Sequence, residues 1–265
     1  MAVSLLAGCT SQDEPALGDN PDAGPPPMNL GVRVERTYPH AEDAFTQGLV
    51  YRPPWLYEST GLYGESTLRR VDFETGVVDD SVELESTLFG EGLALVDNRL
   101  IQLTWKEGRA LVWNMDSFTI EREHSYEGEG WGLCHDGVQL WMSDGSSTLQ
   151  RRDSETFELL GTLSVNYQGS PVDELNELEC VGSDVFANVW QFDHIVRIDT
   201  RTGQVTAWIE TGDLLSHPDV EATGMEDVLN GIAFIPERER LLLTGKLWPR
   251  SFEVELVPAG FDAGP

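Results

Sequence analysis

From about residue 31 the hydrophobic positions fall in short runs of β-branched, aromatic and aliphatic residues, separated by clusters of Gly, Asp and Asn. That pattern predicts strands and turns, and no long stretch keeps a helical period. The runs also repeat. First strands open at Gln47-Gly48-Leu49-Val50, Glu91-Gly92-Leu93-Ala94, Trp131-Gly132-Leu133, Glu177-Leu178-Glu179-Cys180 and Asn230-Gly231-Ile232-Ala233. Gly48, Gly92 and Gly132 are 44 and 40 residues apart; the fourth copy lacks the Gly, and the 99 residues from Gly132 to Gly231 leave room for two repeats. A second apolar strand follows each, over 55–60, 100–105, 140–144, 185–190 and 241–246. A third ends in an acidic turn, over 68–76, 111–116, 149–153 and 196–203, and a fourth is seen at Val205–Ile209.

Four strands in about forty residues is the period of a propeller blade. Five copies fit, so the chain reads as all-β, a five-bladed β-propeller. The N-terminal strand, Gly31 to Arg36, is expected to complete the last blade beside Phe252–Leu256 and so remove the free edges. A two-sheet sandwich would alternate strands without this period. Asp72, Asp153 and Asp199 recur at turns and are read as caps of those turns.

At 265 residues and 40% hydrophobic, the chain can bury the core of one large all-β domain. The propeller is assigned to residues 31–257. Residues 10–30, with Pro25-Pro26-Pro27, read as a flexible tether, and 258–265 as a loose tail. No apolar run is long enough to span a bilayer. Leu5-Leu6-Ala7-Gly8-Cys9 has the form of a lipoprotein cleavage box in which Cys9 would carry the lipid. The eight residues before it lack Lys and Arg, unlike a complete signal peptide. The reading taken is a true box behind a misplaced start codon, rather than a chance match. It implies export and a cell-envelope anchor, or a periplasmic or extracellular protein.

The net charge of −29 excludes nucleic acid as a partner, since such binding rests on Lys and Arg at phosphates. An acidic mouth would instead favour a cationic group such as a free α-amine. Cys134 and Cys180 have no C-x-x-C spacing, which argues against zinc. A disulfide and two buried free thiols both stay open.

In a propeller the innermost strands run along one axis, so equivalent positions converge. The converging ring is Gln47, Glu91, Trp131, Glu177 with Asn176, and Asn230; loops after the second strands add Thr60, Trp105, Asp144, Trp190 and Lys246. Apolar walls with a few aimed polar groups are what small-ligand sites look like. Glu91 stands out. It sits between two glycines in Phe89-Gly90-Glu91-Gly92, just ahead of a buried strand, where little bulk crowds a proton-transfer group. Glu127 and Glu129 read as a solvated turn. The five His show no ligand spacing, and neither a Gly-x-Ser-x-Gly elbow nor a phosphate loop is present.

Several segments carry a resemblance: Phe45-Thr46-Gln47-Gly48-Leu49, Phe89-Gly90-Glu91-Gly92, Leu103-Thr104-Trp105-Lys106-Glu107-Gly108, Glu127-Gly128-Glu129-Gly130-Trp131-Gly132, Leu175-Asn176-Glu177-Leu178-Glu179, Ala187-Asn188-Val189-Trp190, Leu229-Asn230-Gly231-Ile232-Ala233 and Leu243-Thr244-Gly245-Lys246. From about residue 36 to 256 the chain resembles the plant and bacterial glutaminyl cyclases of the papaya-enzyme type. The resemblance implies a five-bladed propeller that turns the N-terminal Gln of peptides and proteins into pyroglutamate and releases ammonia; the chain itself is expected to be a monomer. It implies Glu91 as catalytic acid/base, with Lys246, Asn176 and Gln47 as catalytic partners. Phe45, Phe89, Trp105, Trp131, Trp190 and Asn230 would bind substrate. It implies no catalytic metal and leaves room for a structural calcium in the channel. Two other readings are a calcium-dependent, lactonase-like propeller hydrolase, with Glu91, Asn176 and Asn230 as oxygen ligands, and a peptide-binding propeller without turnover.

Overall fold

The structure, a computed structural model, describes residues 26–215 and 228–260. The box at Cys9, the tether up to residue 25 and the tail from 261 lie outside the described residues. Apart from one helical turn, Gly212–Leu215, every described element is a strand. After β1 (Met28–Pro39), β2 (Thr46–Arg52), β3 (Trp55–Thr60), β4 (Thr67–Asp72) and β5 (Val78–Glu83) form one antiparallel sheet. β6 (Gly90–Val96), β7 (Arg99–Thr104), β8 (Arg109–Asn114) and β9 (Ile120–Ser125) form a second. β10 (Leu133–His135), β11 (Gln139–Met142), β12 (Thr148–Asp153) and β13 (Leu159–Ser164) form a third. A small ribbon, β14 (Asn166–Tyr167) and β15 (Ser170–Pro171), precedes β16 (Leu175–Val181), β17 (Asp184–Val189), β18 (His194–Asp199) and β19 (Val205–Glu210). β20 (Leu229–Ile235), β21 (Arg240–Gly245) and β22 (Arg250–Pro258) end the chain's strands.

These last strands join β16–β19 in one eight-stranded sheet, ordered β16-β17-β18-β19-β1-β22-β21-β20. β1 makes the join, antiparallel to β22 and parallel to β19. It is longer than the strand expected over Gly31–Arg36. Met28, Asn29 and Leu30, expected in the tether, pair with Ala207, Trp208 and Ile209, and Leu30 also with Pro258. The partner strands supply hydrogen bonds to backbone that the composition alone marked as loose.

Burial follows position in each sheet. First strands such as β6 are buried on both faces, while the outer strands β9 and β13 alternate exposed and half-buried residues. Apolar clusters fill the spaces between consecutive sheets. One packs Leu68 of β4 against Leu100 of β7; the next packs Ile101 of β7 against Leu140 of β11. Another joins Leu149 to Val185, another Phe186 to Leu241, and one unites Leu49 and Leu56 with Leu242, linking the end of the chain to its beginning. The acidic turns are capped as expected. Asp72, Asp153 and Asp199 accept the backbone N–H groups of Thr75, Thr156 and Thr202.

Of the two readings left open for the cysteines, the structure has the disulfide. Cys134 on β10 and Cys180 on β16 are bonded, with Cα atoms 5.4 Å apart. The bond closes a loop with a sequence separation of 46, for which chain entropy predicts about 4 kcal/mol and typical measurements about 2–4 kcal/mol. Reduction, or a Cys134→Ser/Cys180→Ser variant, is therefore expected to lower Tm by on the order of 10 °C. A thermal melt with and without reductant checks this.

Candidate active site

The first strands β2, β6, β10, β16 and β20 meet side by side, β20 also touching β2. Glycine makes the approach possible. A Cβ on Gly92 would stand 2.5 Å from the Leu133 nitrogen, and one on Gly132 only 2.0 Å from the Asn176 carbonyl oxygen. Next to these contacts the pairing register slips. The shifts fall between Thr46 and Gly48, Gly90 and Leu93, Leu175 and Leu178, and Leu229 and Ile232. Each is a bulge, which takes a residue out of the ladder and re-aims its side chain. Gln47, Glu91, Asn176 and Asn230 all sit in these bulges.

The bulges open on a cavity of about 310 Å³, lined by Phe45, Gln47, Leu62, Phe89, Glu91, Trp105, Trp131, Asn176, Trp190 and Lys246. So Glu91, Trp105, Trp190 and Lys246, distant in sequence, share one wall-to-wall space. The walls are aromatic. Phe45 and Phe89 meet edge to face at 6.1 Å, Trp105 packs on Phe89 at 5.5 Å, and Trp131 and Trp190 are perpendicular at 5.6 Å. Lys246 Nζ lies 4.6 Å above the Phe45 ring.

Glu91 is 4% exposed. Burial pushes its carboxyl well above the ordinary range; Lys246 pulls it down, while Glu129 and Glu107 push it further up. Gln47 Nε2 donates to Glu91 Oε1 at 3.0 Å. The Gln47 amide is fixed in turn, because Asn230 Nδ2 donates to Gln47 Oε1 and to the Thr46 carbonyl, both at 2.9 Å. Two buried polar atoms of the lining, Asn176 Oδ1 and Trp190 Nε1, have no hydrogen-bond partner among the described residues. A buried polar group is costly to leave unpaired, so these mark where a ligand's polar atoms belong.

Four expected members of the mouth lie elsewhere. Asn230 does not line the cavity; its amide is spent behind Gln47. Glu177 is fully buried, and its two carboxyl oxygens accept the N–H groups of Leu49 (3.3 Å) and Ile232 (2.8 Å). Adjacent residues of one bulge thus serve opposite ends, Asn176 the cavity and Glu177 the neighbouring strands. Asp144 accepts from Ser146 in its own loop and from Gln150 on β12. Thr60 pairs with Thr67 rather than reaching the cavity. Leu62, at φ 84°, is a lining residue that the sequence reading did not name. Glu129 is not a free turn acid, since the Nε1–H groups of both Trp105 (2.7 Å) and Trp131 (3.0 Å) donate to its Oε2. The tripeptide Gly128-Glu129-Gly130 repeats Gly90-Glu91-Gly92, and that repetition was the available signal.

A buried ion pair braces the loop that carries Lys246. His40 Nε2 lies 2.9 Å from Glu58 Oε1, and His40 Nδ1 lies 2.6 Å from the Trp248 carbonyl. Burial opposes charge on this ring, but Glu58 outweighs it and holds the imidazole above its usual value. Burial likewise raises Glu58, and His40 outweighs it and keeps that carboxyl low. A raised His pKa contributes stability that is fully present below about 6.5. That stability is lost as pH rises through the higher folded value. The excess stability of the wild type over His40→Gln is therefore expected to shrink as pH climbs above about 6.5. Paired melts across pH 6–9 check it, and a constant difference would contradict it.

Fold and site together describe an all-β protein with a buried carboxyl facing an aromatic-walled cavity, a class of site that suits a small polar group. Comparison with known proteins makes this specific. Residues 1–256 match the family model described as glutamine cyclotransferase. A glutaminyl-peptide cyclotransferase of Arabidopsis thaliana is 40% identical over 235 residues, 88% of this chain and 73% of the relative. The crystal structure of Myxococcus xanthus glutaminyl cyclase superposes with a TM-score of 0.82 at 40% identity, covering 87% of this chain and 98% of that one. The chain belongs to the glutamine cyclotransferase family.

Proposed function

We propose that the chain is a glutaminyl-peptide cyclotransferase, an aminoacyltransferase that closes N-terminal Gln of peptides to pyroglutamate with release of ammonia. Its scaffold is a five-bladed β-propeller, and Glu91 is its acid/base. The observation that carries the reading is a buried acid with a raised pKa, facing Lys246 and two unpartnered polar atoms inside one aromatic cavity. The blades are β2–β5, β6–β9, β10–β13, β16–β19 and β20–β22 with β1. The mutual packing of their first strands supports that reading.

The α-amine attacks its own γ-carboxamide carbon. Nucleophile and electrophile share one residue, so little translational entropy is lost in bringing them together. The new C–N bond forms as the Glu91 carboxylate accepts a proton from the amine nitrogen. The acid then returns that proton to the departing NH₂, the old C–N bond breaks, and ammonia leaves. A free α-amine has a pKa of about 7.7–8.0. Burial raises the Glu91 carboxyl above the ordinary carboxylate range, which makes its anion a stronger base toward the amine while the protonated form can still return the proton. In this reading Trp190 Nε1 and Lys246 donate to the γ-oxygen as charge develops, an interaction worth about 3–4 kcal/mol per donor; their shared place in the cavity lining supports it. Asn176 Oδ1 is an acceptor for the amine or amide N–H. The indole and phenyl faces pack the methylenes of the curled side chain.

No metal enters these steps. A calcium hydrolase would use Glu91, Asn176 and Asn230 as oxygen ligands, and of these Glu91 already accepts from Gln47 Nε2 at 3.0 Å. A box at Cys9 and a disulfide both suit an exported, anchored protein. The test is a coupled ammonia assay on a Gln-peptide with and without EDTA. Turnover that survives chelation is expected. Loss of turnover in EDTA, with activity on lactones, would favour a calcium hydrolase, and binding without ammonia a non-catalytic module.

A further inference from the structure

Glu129 stands in the loop between the second and third sheets, outside the set of groups that touch the reacting atoms. One of its oxygens, Oε2, receives the indole N–H of Trp105 from the end of β7 and of Trp131 from the entry to β10. The loop is held to the same wall, since the Gly130 N–H donates to the Trp105 carbonyl at 2.9 Å. Its other oxygen lies 3.7 Å from Lys106 Nζ, which in turn sits 3.6 Å above the Trp105 ring. The carboxylate is thus the node of a chain, Trp131–Glu129–Trp105–Lys106, that crosses from one sheet to the next.

Two consequences follow for the cavity. Both indoles are fixed with ring planes set by a shared acceptor rather than by packing alone. Both N–H groups are also consumed, so neither competes for the substrate's amide oxygen. Of the three wall indoles only Trp190 keeps a buried Nε1–H with no partner among the described residues. We propose that Glu129 is a positioning residue for the cyclisation: by taking both indole N–H groups on one oxygen it sets the wall that curls the glutamine and leaves Trp190 as the indole donor. The inference rests on the cyclase reading of this cavity. The negative charge of Glu129 also contributes, after burial, to keeping the Glu91 carboxyl high.

The test compares Glu129→Leu, which removes the acceptor, with Glu129→Gln, whose amide oxygen can still accept both N–H groups. Ammonia release from a Gln-peptide gives kcat and KM, Tm gives fold integrity, and ¹⁵N-tryptophan spectra give the indole N–H resonances. Glu129→Leu is expected to keep Tm within a few degrees and to shift two indole signals. It should raise KM, lower kcat, and cost about 100-fold in kcat/KM, the scale of a misplaced reactant. Glu129→Gln is expected to restore both signals and most of that loss. Wild-type kcat/KM in the Leu variant, or equal losses in Leu and Gln, would overturn the proposal. If the wild type released no ammonia, the cyclase reading would fail. The indole signals would then still decide the bracing: unmoved in Glu129→Leu, they refute it.

Discussion

Glu91→Gln is expected to fold and to release ammonia from a Gln-peptide at least about 10²–10⁴-fold more slowly than the wild type, the usual worth of one general acid–base group. The amide is close in shape, and Gln47 still has an oxygen to donate to, so geometry is conserved while proton transfer is not. Thermal stability sharpens the test. The folded-state pKa of Glu91 is raised, so the folded protein holds the proton longer than the unfolded chain. Stability from this group therefore falls as pH rises from about 4.3 toward the folded value. Gln escapes that penalty. At pH 8 the variant should melt at the wild-type temperature or above it. A variant that kept near-wild-type turnover would remove Glu91 from the chemistry. One that lost turnover together with several degrees of Tm would make it a structural residue.

Much of this site was legible because its signals are periodic. The residue before the glycine of each first strand gave Gln47, Glu91 and Trp131, and the end of the second strand gave Trp105, Trp190 and Lys246. All six line the cavity. What the period could not give is direction within a bulge. Side chains of a regular strand alternate, but a bulge breaks the alternation through pairing with a partner strand. Asn176 and Glu177 are neighbours in sequence and serve different places. Asn230 occupies the same repeat position as Gln47 and ends up behind it. Glu129 was missed for another reason. A Gly-Glu-Gly turn is solvated unless two indoles from different repeats reach it, and that meeting is tertiary. The disulfide was undecidable in the same way, since Cys134 and Cys180 become neighbours only when β10 and β16 pack together. Reading Gly31 as the start of β1 failed at the other extreme. Met28-Asn29-Leu30 has little strand character of its own and is extended because two strands pair with it.

Gly132→Ala is expected to damage stability and catalysis together. The added methyl would meet the Asn176 carbonyl oxygen at 2.0 Å and the Glu177 Cα at 2.9 Å. Both are backbone atoms that cannot swing aside. Nor can the strands slide apart freely, because Cys134 and Cys180 fasten β10 to β16 just beyond. Ser143 Oγ adds a further tie, donating to the Asn176 carbonyl and accepting the Gly132 N–H, both at 2.7 Å. The overpacking should cost about 1–3 kcal/mol or more, which lowers Tm by on the order of 5 °C in a chain this size. Trp131 precedes the substituted position and Asn176 is the residue pushed, so two lining groups move. A displacement on the order of 1 Å is enough for about a 100-fold loss of kcat/KM. Gly212→Ala is the control, since among the described residues a Cβ there has nothing within 4 Å. If Gly132→Ala melted and turned over like that control, the first strands would not be in the close contact on which the shared cavity depends.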